Sequence, residues 1–324
     1  MGKTGTTTIQ AALHESKDVL QAAGIRYLGQ WLGYIDSNFD GFEGFQRFLK
    51  QGPEELGVTG ARLCKYITGV ANTTGNTRFL ISNEQYLENI RHLTNFFLAL
   101  RQKVSLEVII YVRAPAKWLP SAVAQWGIIH KTYPGPVRPF GVTARTLMGQ
   151  YYYIRQWREI LGSAVSVRKY HEGADVAEHF LQALSIGVPA NVPREQQRPS
   201  LADAVMRAAF NTKIAAMALP EEFNRTVPAP DPSFPVGLSE KLKHLFNYAE
   251  LPAILQENRD ILQYIKDEFG IELEDDHQQL AEPVAGDTLV DALVGRLVDI
   301  VSQQALQLRS LKERFDTFES QRTN

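Results

Sequence analysis

The chain has little of what marks secreted, membrane-spanning or metal-binding proteins. Its single cysteine, Cys64, excludes an internal disulfide and a cysteine-based zinc cluster. Its longest apolar runs, near residues 80 and 110, are the size of strands, and a membrane-spanning helix needs ~20 apolar residues. The N-terminus has no basic segment followed by an apolar stretch, so we predict no signal peptide and expect a cytoplasmic protein.

The chain also lacks a strong charge of either sign. Its formal net charge is −2 over 324 residues, with a pI near 6.4. This balance argues against general binding to nucleic acid or to anionic membranes. A phosphate group would therefore have to be bound at a local site.

Apolar patterning alternates between strands and helices. Ile9, Leu13 and Leu20 mark one face of a helix from Thr6 to about Ala23, with Gly24 just after its end. Strands are predicted at IRYLG, RFLISNE, EVIIYVR and AVSVRKY, and further helices at 86–102, 116–129, 145–161 and 175–187. This alternation predicts an α/β fold with a mainly parallel sheet covered by helices on both faces.

The chain divides by pattern into three parts. We predict an α/β nucleotide-binding core over 1–210, a helical extension over 211–286 packed on it, and a C-terminal amphipathic helix over 287–324. The last part has apolar residues at steps of four and three, interrupted by one glutamine: Leu297, Val301, Gln304, Leu308, Leu311, Phe315 and Phe318. This spacing suits a coiled coil, and hence a homo-oligomer formed through 297–318, or a helix packed on its own domain.

The first motif with chemical content is KTGTTT, at residues 3–8. A glycine in such a turn lets the backbone approach an anion closely, and amides at the start of the following helix point toward it. The threonine hydroxyls add donors, and Lys3 adds a positive charge. The order differs from a Walker A motif, because the lysine precedes the glycine. A Thr-rich helix start without any ligand remains the simpler alternative.

The second motif is YVRAPAKWLPS, at residues 111–121. Arg113 stands at the carboxyl end of a predicted central strand, where open α/β sheets bind ligands. Ser121 follows eight residues later on the next helix. An arginine can donate two hydrogen bonds to a phosphate at once, and a serine hydroxyl can complete the shell. Purely structural roles for both residues remain open.

Together the two motifs resemble those of the PAPS-dependent sulfotransferases. KTGTTT is similar to their 5′-phosphosulfate loop, and Arg113 with Ser121 is similar to their 3′-phosphate motif. FLISNE and VRKYHEGADVAEHFLQAL resemble further stretches of the bacterial, carbohydrate-type branch of that superfamily. The resemblance covers about residues 2–210 and, more loosely, the helical part as far as 272.

The resemblance implies a P-loop nucleotide-kinase-like α/β domain that binds 3′-phosphoadenosine 5′-phosphosulfate (PAPS) without a metal. Such a domain would transfer the sulfuryl group to a hydroxyl or amine of a carbohydrate-like, glycan or small-molecule acceptor. Arg113 and Ser121 would hold the 3′-phosphate. The 5′-phosphosulfate would be held by Lys3, Thr4, Gly5, Thr6, Thr7 and Thr8.

Sulfuryl transfer also needs charge stabilisation and a base. Lys3 and the helix start can stabilise charge on the leaving phosphate oxygen. Glu84 is the first candidate base for the acceptor proton, because it follows the carboxyl end of a predicted strand. The alternative for Glu84 is a cap on the next helix, through Ser82 or Asn83. His130 is the reserve base, or an ordinary histidine at a helix end.

The sequence departs from the family at its start. A buried strand of about five residues should precede the loop, and Met1 and Gly2 cannot supply it. We expect either a true start upstream or a protein that lacks a central strand, and the stability of domains favours the first.

Two other function classes follow from this departure and from the motifs. One is a catalytically inactive relative that assembles through its C-terminal helix. The other is a kinase-like phosphotransferase, which is disfavoured because neither a Walker lysine nor a clear magnesium carboxylate follows the loop.

Overall fold

The structure is a computed structural model that describes residues 1–170, 176–187, 201–227 and 247–273, together with residues 288, 290, 292–297, 300, 304, 311 and 314. The chain forms two compact units. The first contains Met1–Trp118, Met148–Gln196 and Asn258–Gln278, and the second contains Leu119–Leu147, Gln197–Glu257 and Gln279–Asn324. The three-part division expected from the sequence stays a prediction.

The strands form two separate two-stranded sheets, both parallel. The strands are β1 (Ile25–Tyr27), β2 (Arg78–Leu80), β3 (Val108–Val112) and β4 (Val165–Lys169). β1 pairs with β2, and β3 pairs with β4 in the register Val108 to Val165. All four lie within the segments predicted as strands, and the parallel α/β architecture is confirmed.

Helices make up most of the described residues. Their bounds are α1 (Thr6–Glu15), α2 (Lys17–Ala22), α3 (Gly41–Leu49), α4 (Pro53–Thr74), α5 (Thr94–Arg101), α6 (Pro115–Val123), α7 (Phe140–Leu161), α8 (Val176–Ala183), α9 (Leu201–Thr212), α10 (Pro220–Thr226), α11 (Leu251–Glu257) and α12 (Arg259–Phe269). No helix in these described ranges is both long and apolar enough to cross a membrane.

Three sequence expectations differ in detail from the structure. The single sheet is divided, because no strand among the described residues pairs with both β2 and β3. The helix expected over 86–102 starts only at Thr94, after a 3-10 turn over Glu84–Tyr86. The helix expected over 116–129 is regular only to Val123 and continues as a π-helical turn over Ala124–Ile129; α6 contains Pro120, which has no N–H to donate to the preceding turn.

The core of the first unit joins α1 to both sheets. Ile9 and Leu13 of α1 pack in one buried cluster with Ile25 of β1, Tyr111 of β3 and Leu181 of α8. The period of α1 therefore buries one face, as the spacing of its apolar residues predicts. Because α1 begins at Thr6, within the KTGTTT segment, this packing also holds that segment near β3.

The C-terminal pattern lies mostly outside the described residues. Of its positions, Leu297, Gln304 and Leu311 are described, and all three are helical. The side chains of Leu297 and Leu311 are 44% and 57% exposed. The structure therefore leaves open both the packed and the self-associating alternatives for this helix.

Candidate functional site

The KTGTTT segment forms a tight left-handed turn that leads into α1. Lys3 has φ 59° and Gly5 has φ 81°. A non-glycine residue rarely has a positive φ, and such residues are frequent at functional sites. Gly5 is the residue before α1, and it has no side chain to satisfy the first amides of the helix. Those N–H groups, at Thr6, Thr7 and Thr8, form the kind of helix N-terminus that binds anions.

Two of the threonine hydroxyls stabilise the turn itself. The Thr4 hydroxyl donates to the Met1 carbonyl at 2.5 Å, and the Thr6 hydroxyl donates to the same oxygen at 3.4 Å. Thr4 is 1% exposed, whereas Thr7 and Thr8 are half-buried. Thr7 and Thr8 are thus the more accessible hydroxyls for a bound anion.

The two sequence motifs are joined by a hydrogen bond. The indole N–H of Trp118, on α6, donates to the Gly2 carbonyl at 3.0 Å. The N-terminal amine of Met1 donates to the Tyr111 carbonyl on β3 at 3.2 Å. Trp118 is fully buried. Met1 and Gly2, which directly precede the loop, are therefore both hydrogen-bonded to the segment that carries Arg113.

Arg113 is buried just beyond the carboxyl end of β3. It is 7% exposed, and its carbonyl accepts a hydrogen bond from the Tyr151 hydroxyl at 2.5 Å. Burial raises the pKa of Tyr151, although the positive charge of Arg113 opposes the rise. Tyr151 is fully buried and is therefore a core residue.

Tyr170 lies close to both Arg113 and the loop. The guanidinium carbon of Arg113 is 5.6 Å from the centre of the Tyr170 ring, a cation–π distance. A Cβ at Gly5 would lie 3.4 Å from Tyr170 Cε2. The Tyr170 N–H continues the parallel ladder by donating to the Val112 carbonyl at 2.6 Å. Tyr170 therefore brings Arg113 and Gly5 to the same end of the β3–β4 sheet.

Sequence reasoning did not single out Tyr170 as a site residue. The available signal was its position at the end of AVSVRKY, because residues that follow parallel strands collect at the ligand-binding edge of a sheet. An aromatic ring at that point can stack on a planar base or cover an arginine, and sequence alone gave no reason to choose between a core role and a site role.

Glu84 and the loop line the same cavity of about 190 Å³. Thr4 and Thr6 contribute to the lining from one side, and Glu84 and Asn83 contribute from the end of β2. The negative charge of Glu84 acts on the Met1 amine and, after the larger effect of burial, helps to raise the pKa of Tyr27 to about 12. Glu84 is exposed. Its carboxylate is thus accessible and within electrostatic reach of the loop.

The cap of the turn after β2 is made by Asn83. Its side-chain oxygen accepts from the Gln85 N–H at 2.9 Å. Capping was the alternative role for Glu84, so the structure assigns that role to its neighbour.

Two predicted residues belong to the second unit. Ser121 lies on α6 and is 8% exposed. His130 follows the π-helical turn, and its N–H donates to the Gln125 carbonyl at 2.7 Å. The pairing of Ser121 with Arg113, and the reserve role of His130, stay predictions.

The Met1 amine predicts a measurable pH dependence of stability. Burial lowers the pKa of this amine from 8.0 to about 5, with Glu84 partly opposing the shift. Between these values the unfolded chain binds a proton that the folded chain does not, so stability falls as pH drops from 8 to 5. The loss is of order 4 kcal/mol at most.

Thermal unfolding at pH 8 and pH 5, with mass spectrometry to verify that Met1 is intact, measures this loss. Acetylation of the amine keeps its N–H and removes its titration, so the acetylated chain should lose less stability over the same range. Equal losses in the two forms would contradict the assignment.

Comparisons with protein-family models, with curated proteins and with solved structures found no match to this chain. The function is therefore argued from the residues of the site. Among the described residues, no group of histidine, cysteine and carboxylate side chains is arranged to hold a metal ion.

Proposed function

We propose that this protein is a PAPS-dependent sulfotransferase that acts on a hydroxyl or amine of a carbohydrate-like acceptor. The observation that carries the proposal is the joining of its two phosphate motifs. Trp118 bonds to Gly2, and Tyr170 lies against both Gly5 and Arg113. PAPS carries a 5′-phosphosulfate and a 3′-phosphate on one nucleotide. The two anion sites that bind it must therefore lie no farther apart than the length of that nucleotide.

The loop suits the 5′-phosphosulfate end of PAPS. In this proposal the α1 amides and the Thr7 and Thr8 hydroxyls donate to the anionic oxygens, and Lys3 adds positive charge. Thr4 and Thr6 hold the turn through the Met1 carbonyl. Gly5 allows the backbone to make the left-handed turn that aims the amides. Arg113 binds the 3′-phosphate through its planar fork.

Transfer requires one bond to form and one to break at sulfur. The acceptor oxygen or nitrogen attacks the sulfur, the bond from sulfur to the bridging phosphate oxygen breaks, and 3′,5′-bisphosphoadenosine leaves. Glu84 takes the proton from the acceptor, and Lys3 with the start of α1 stabilises charge on the leaving oxygen. No metal enters this scheme.

The proposal includes a nucleotide-kinase-like arrangement of the first unit. Its support is local: parallel strands, helices α6 and α8 after β3 and β4, and candidate ligand groups at the carboxyl ends of β2, β3 and β4. Ligand sites of parallel α/β proteins lie at that edge.

Calorimetric titration with 3′,5′-bisphosphoadenosine tests the proposal. Arg113→Ala is expected to weaken binding by about 10- to 100-fold, because it removes charged hydrogen bonds to a phosphate. Arg113→Lys keeps the positive charge but loses the planar pair of N–H donors. Its affinity should therefore lie between that of the unchanged chain and that of Arg113→Ala. Arg101→Ala, an exposed arginine at the end of α5, is the control that should bind normally.

Since Arg113 is buried, thermal unfolding of each variant must show that it is folded before its affinity is compared. Equal affinity of folded Arg113→Ala and the unchanged chain would refute the 3′-phosphate site.

The second candidate is an inactive relative that assembles through its C-terminal helix. The exposed side chains of Leu297 and Leu311 favour it, since they lie on the predicted seam. Absence of any nucleotide binding by the unchanged chain, together with a molar mass above 36.4 kDa in solution, would support this candidate over the first.

A further inference from the structure

A closed ring of hydrogen bonds lies beside Glu84. The side-chain N–H of Gln10, on α1, donates to the Ser82 carbonyl at 2.9 Å, and the side-chain oxygen of Gln10 accepts from the Gln30 side chain at 2.6 Å. The side-chain N–H of Asn83 donates to the Gln30 carbonyl at 3.2 Å. Because Ser82 and Asn83 are consecutive residues, these bonds close a ring, which we call the glutamine ring.

The orientation of the Gln10 amide follows from its two partners. A backbone carbonyl only accepts hydrogen bonds, so the amide nitrogen of Gln10 must face Ser82, and its oxygen is left to accept from Gln30. Gln10 is 8% exposed, so water has little access to replace either bond. A buried amide whose nitrogen and oxygen both have protein partners is held in one position.

The ring joins α1 to the segment that carries Glu84. Gln10 lies one turn after Thr6, the first residue of α1, on the same side of the helix. The amides proposed to bind the 5′-phosphosulfate and the Gln10 side chain thus belong to one helix. On the other side of the ring, Glu84 directly follows Asn83 and begins a 3-10 turn of 3 residues. So short a turn has little stability of its own, and its position therefore depends on the segment before it.

We propose that Gln10 is a positioning residue that sets, through the glutamine ring, the distance between the anion-binding start of α1 and the Glu84 carboxylate. This inference rests on the proposed function, because it gives Gln10 a part in placing the base for sulfuryl transfer. Gln10 itself contacts neither the nucleotide nor the acceptor in this scheme. Transfer depends steeply on such placement, since a shift of about 1 Å can lower a rate by about 100-fold.

Gln10→Met tests this role, because methionine has nearly the same length but lacks both the amide donor and the amide oxygen. The variant should lower kcat for transfer by about 10- to 100-fold, because Glu84 is no longer held in place. The KM for PAPS and the affinity for 3′,5′-bisphosphoadenosine should stay unchanged, since the start of α1 is not altered. Gln30→Met removes only one bond of the ring and should cause a smaller loss of the same kind.

Gln21→Met is the matched control. Gln21, on α2, accepts from the Asn76 side chain at 3.3 Å, so it also joins a helix to a segment next to β2. Asn76 precedes the amino end of β2, whereas Glu84 follows the carboxyl end. The control is expected to lower the thermal midpoint slightly and to keep a normal kcat at temperatures below that midpoint.

The same change in a Glu84→Gln background separates positioning from a general structural role. If Gln10 acts through Glu84, Gln10→Met should change the residual rate of the Glu84→Gln chain by less than about twofold, because the two effects are coupled. A loss of equal size in both backgrounds, or a normal kcat in Gln10→Met alone, would overturn the proposal.

Amide hydrogen exchange gives a readout that needs no activity. The Ser82 N–H donates to the Gly29 carbonyl at 3.2 Å, and the Gln85 N–H donates to the Asn83 side chain at 2.9 Å. Both amides should exchange at least about tenfold faster in Gln10→Met, because the segment opens more often, and at the normal rate in the control. Normal exchange at both amides in Gln10→Met would refute the glutamine ring. An unchanged chain that neither binds 3′,5′-bisphosphoadenosine nor transfers the sulfuryl group would instead refute the proposed function.

Discussion

Replacing Glu84 by glutamine is expected to lower the rate of sulfuryl transfer by about 10²- to 10⁴-fold, the usual contribution of a general base. Glutamine has nearly the same shape and cannot accept the acceptor proton. Binding of 3′,5′-bisphosphoadenosine should be unchanged, because the roles proposed for phosphate binding belong to other residues. The measurement is release of 3′,5′-bisphosphoadenosine from PAPS with a panel of oligosaccharide acceptors.

Glu107→Gln is the matched control for this experiment. Glu107 also lines the cavity, but it lies before the amino end of β3, whereas Glu84 lies at the end of β2 near the loop. The control should transfer at the normal rate. A Glu84→Gln protein with normal turnover would exclude Glu84 as the base.

Replacing Gly5 by alanine should cause both a large loss of stability and a loss of nucleotide binding. The left-handed backbone at Gly5 costs an L-residue about 1–2 kcal/mol. The added Cβ would also lie 2.4 Å from Val176 Cγ1, closer than atoms can approach. Val176 is β-branched and begins α8, so its side chain has little freedom to move away. The loop must therefore shift, and its backbone N–H groups then no longer point toward the bound anion.

Gly75→Ala separates the backbone effect from the contact. Gly75 ends α4 with φ 73°, close to the value at Gly5, and a Cβ there would meet nothing within 4 Å. Its thermal midpoint should fall by the backbone cost alone, and its nucleotide binding should stay normal. If Gly5→Ala and Gly75→Ala unfold at the same temperature and bind the nucleotide equally well, the close contact of α8 with the loop contributes neither to stability nor to nucleotide binding.

Local elements were predictable because their signals are local. The apolar period placed α1, and Gly24, with φ 71°, follows the end of α2 as its expected terminator. The β-branched run before Arg113 predicted β3. The single helix predicted from Thr6 to about Ala23 is divided at Ser16 into α1 and α2, and the spacing of its apolar residues continues across this break.

Contacts between distant segments had no sequence signal. Trp118 and Gly2 are 116 residues apart, and nothing in either segment indicates that the indole N–H meets that carbonyl. The contacts of Tyr170 with Arg113 and with the Gly5 position likewise depend on how β3 pairs with β4 and how α8 packs on the loop. The role of Asn83 as a cap, in place of Glu84, was a choice between neighbours that only geometry could make.

The sequence by itself determined the parallel α/β class, the four strands and the chemical character of the two motifs, because periodicity and residue type act within a few residues of the chain. Only the tertiary structure decided that the strands form two separate pairs, that the two motifs meet through Trp118 and Tyr170, and that Met1 lines the same cavity as Glu84. Those outcomes depend on which surfaces pack and which backbone edges find partners, and that competition is settled across the whole unit.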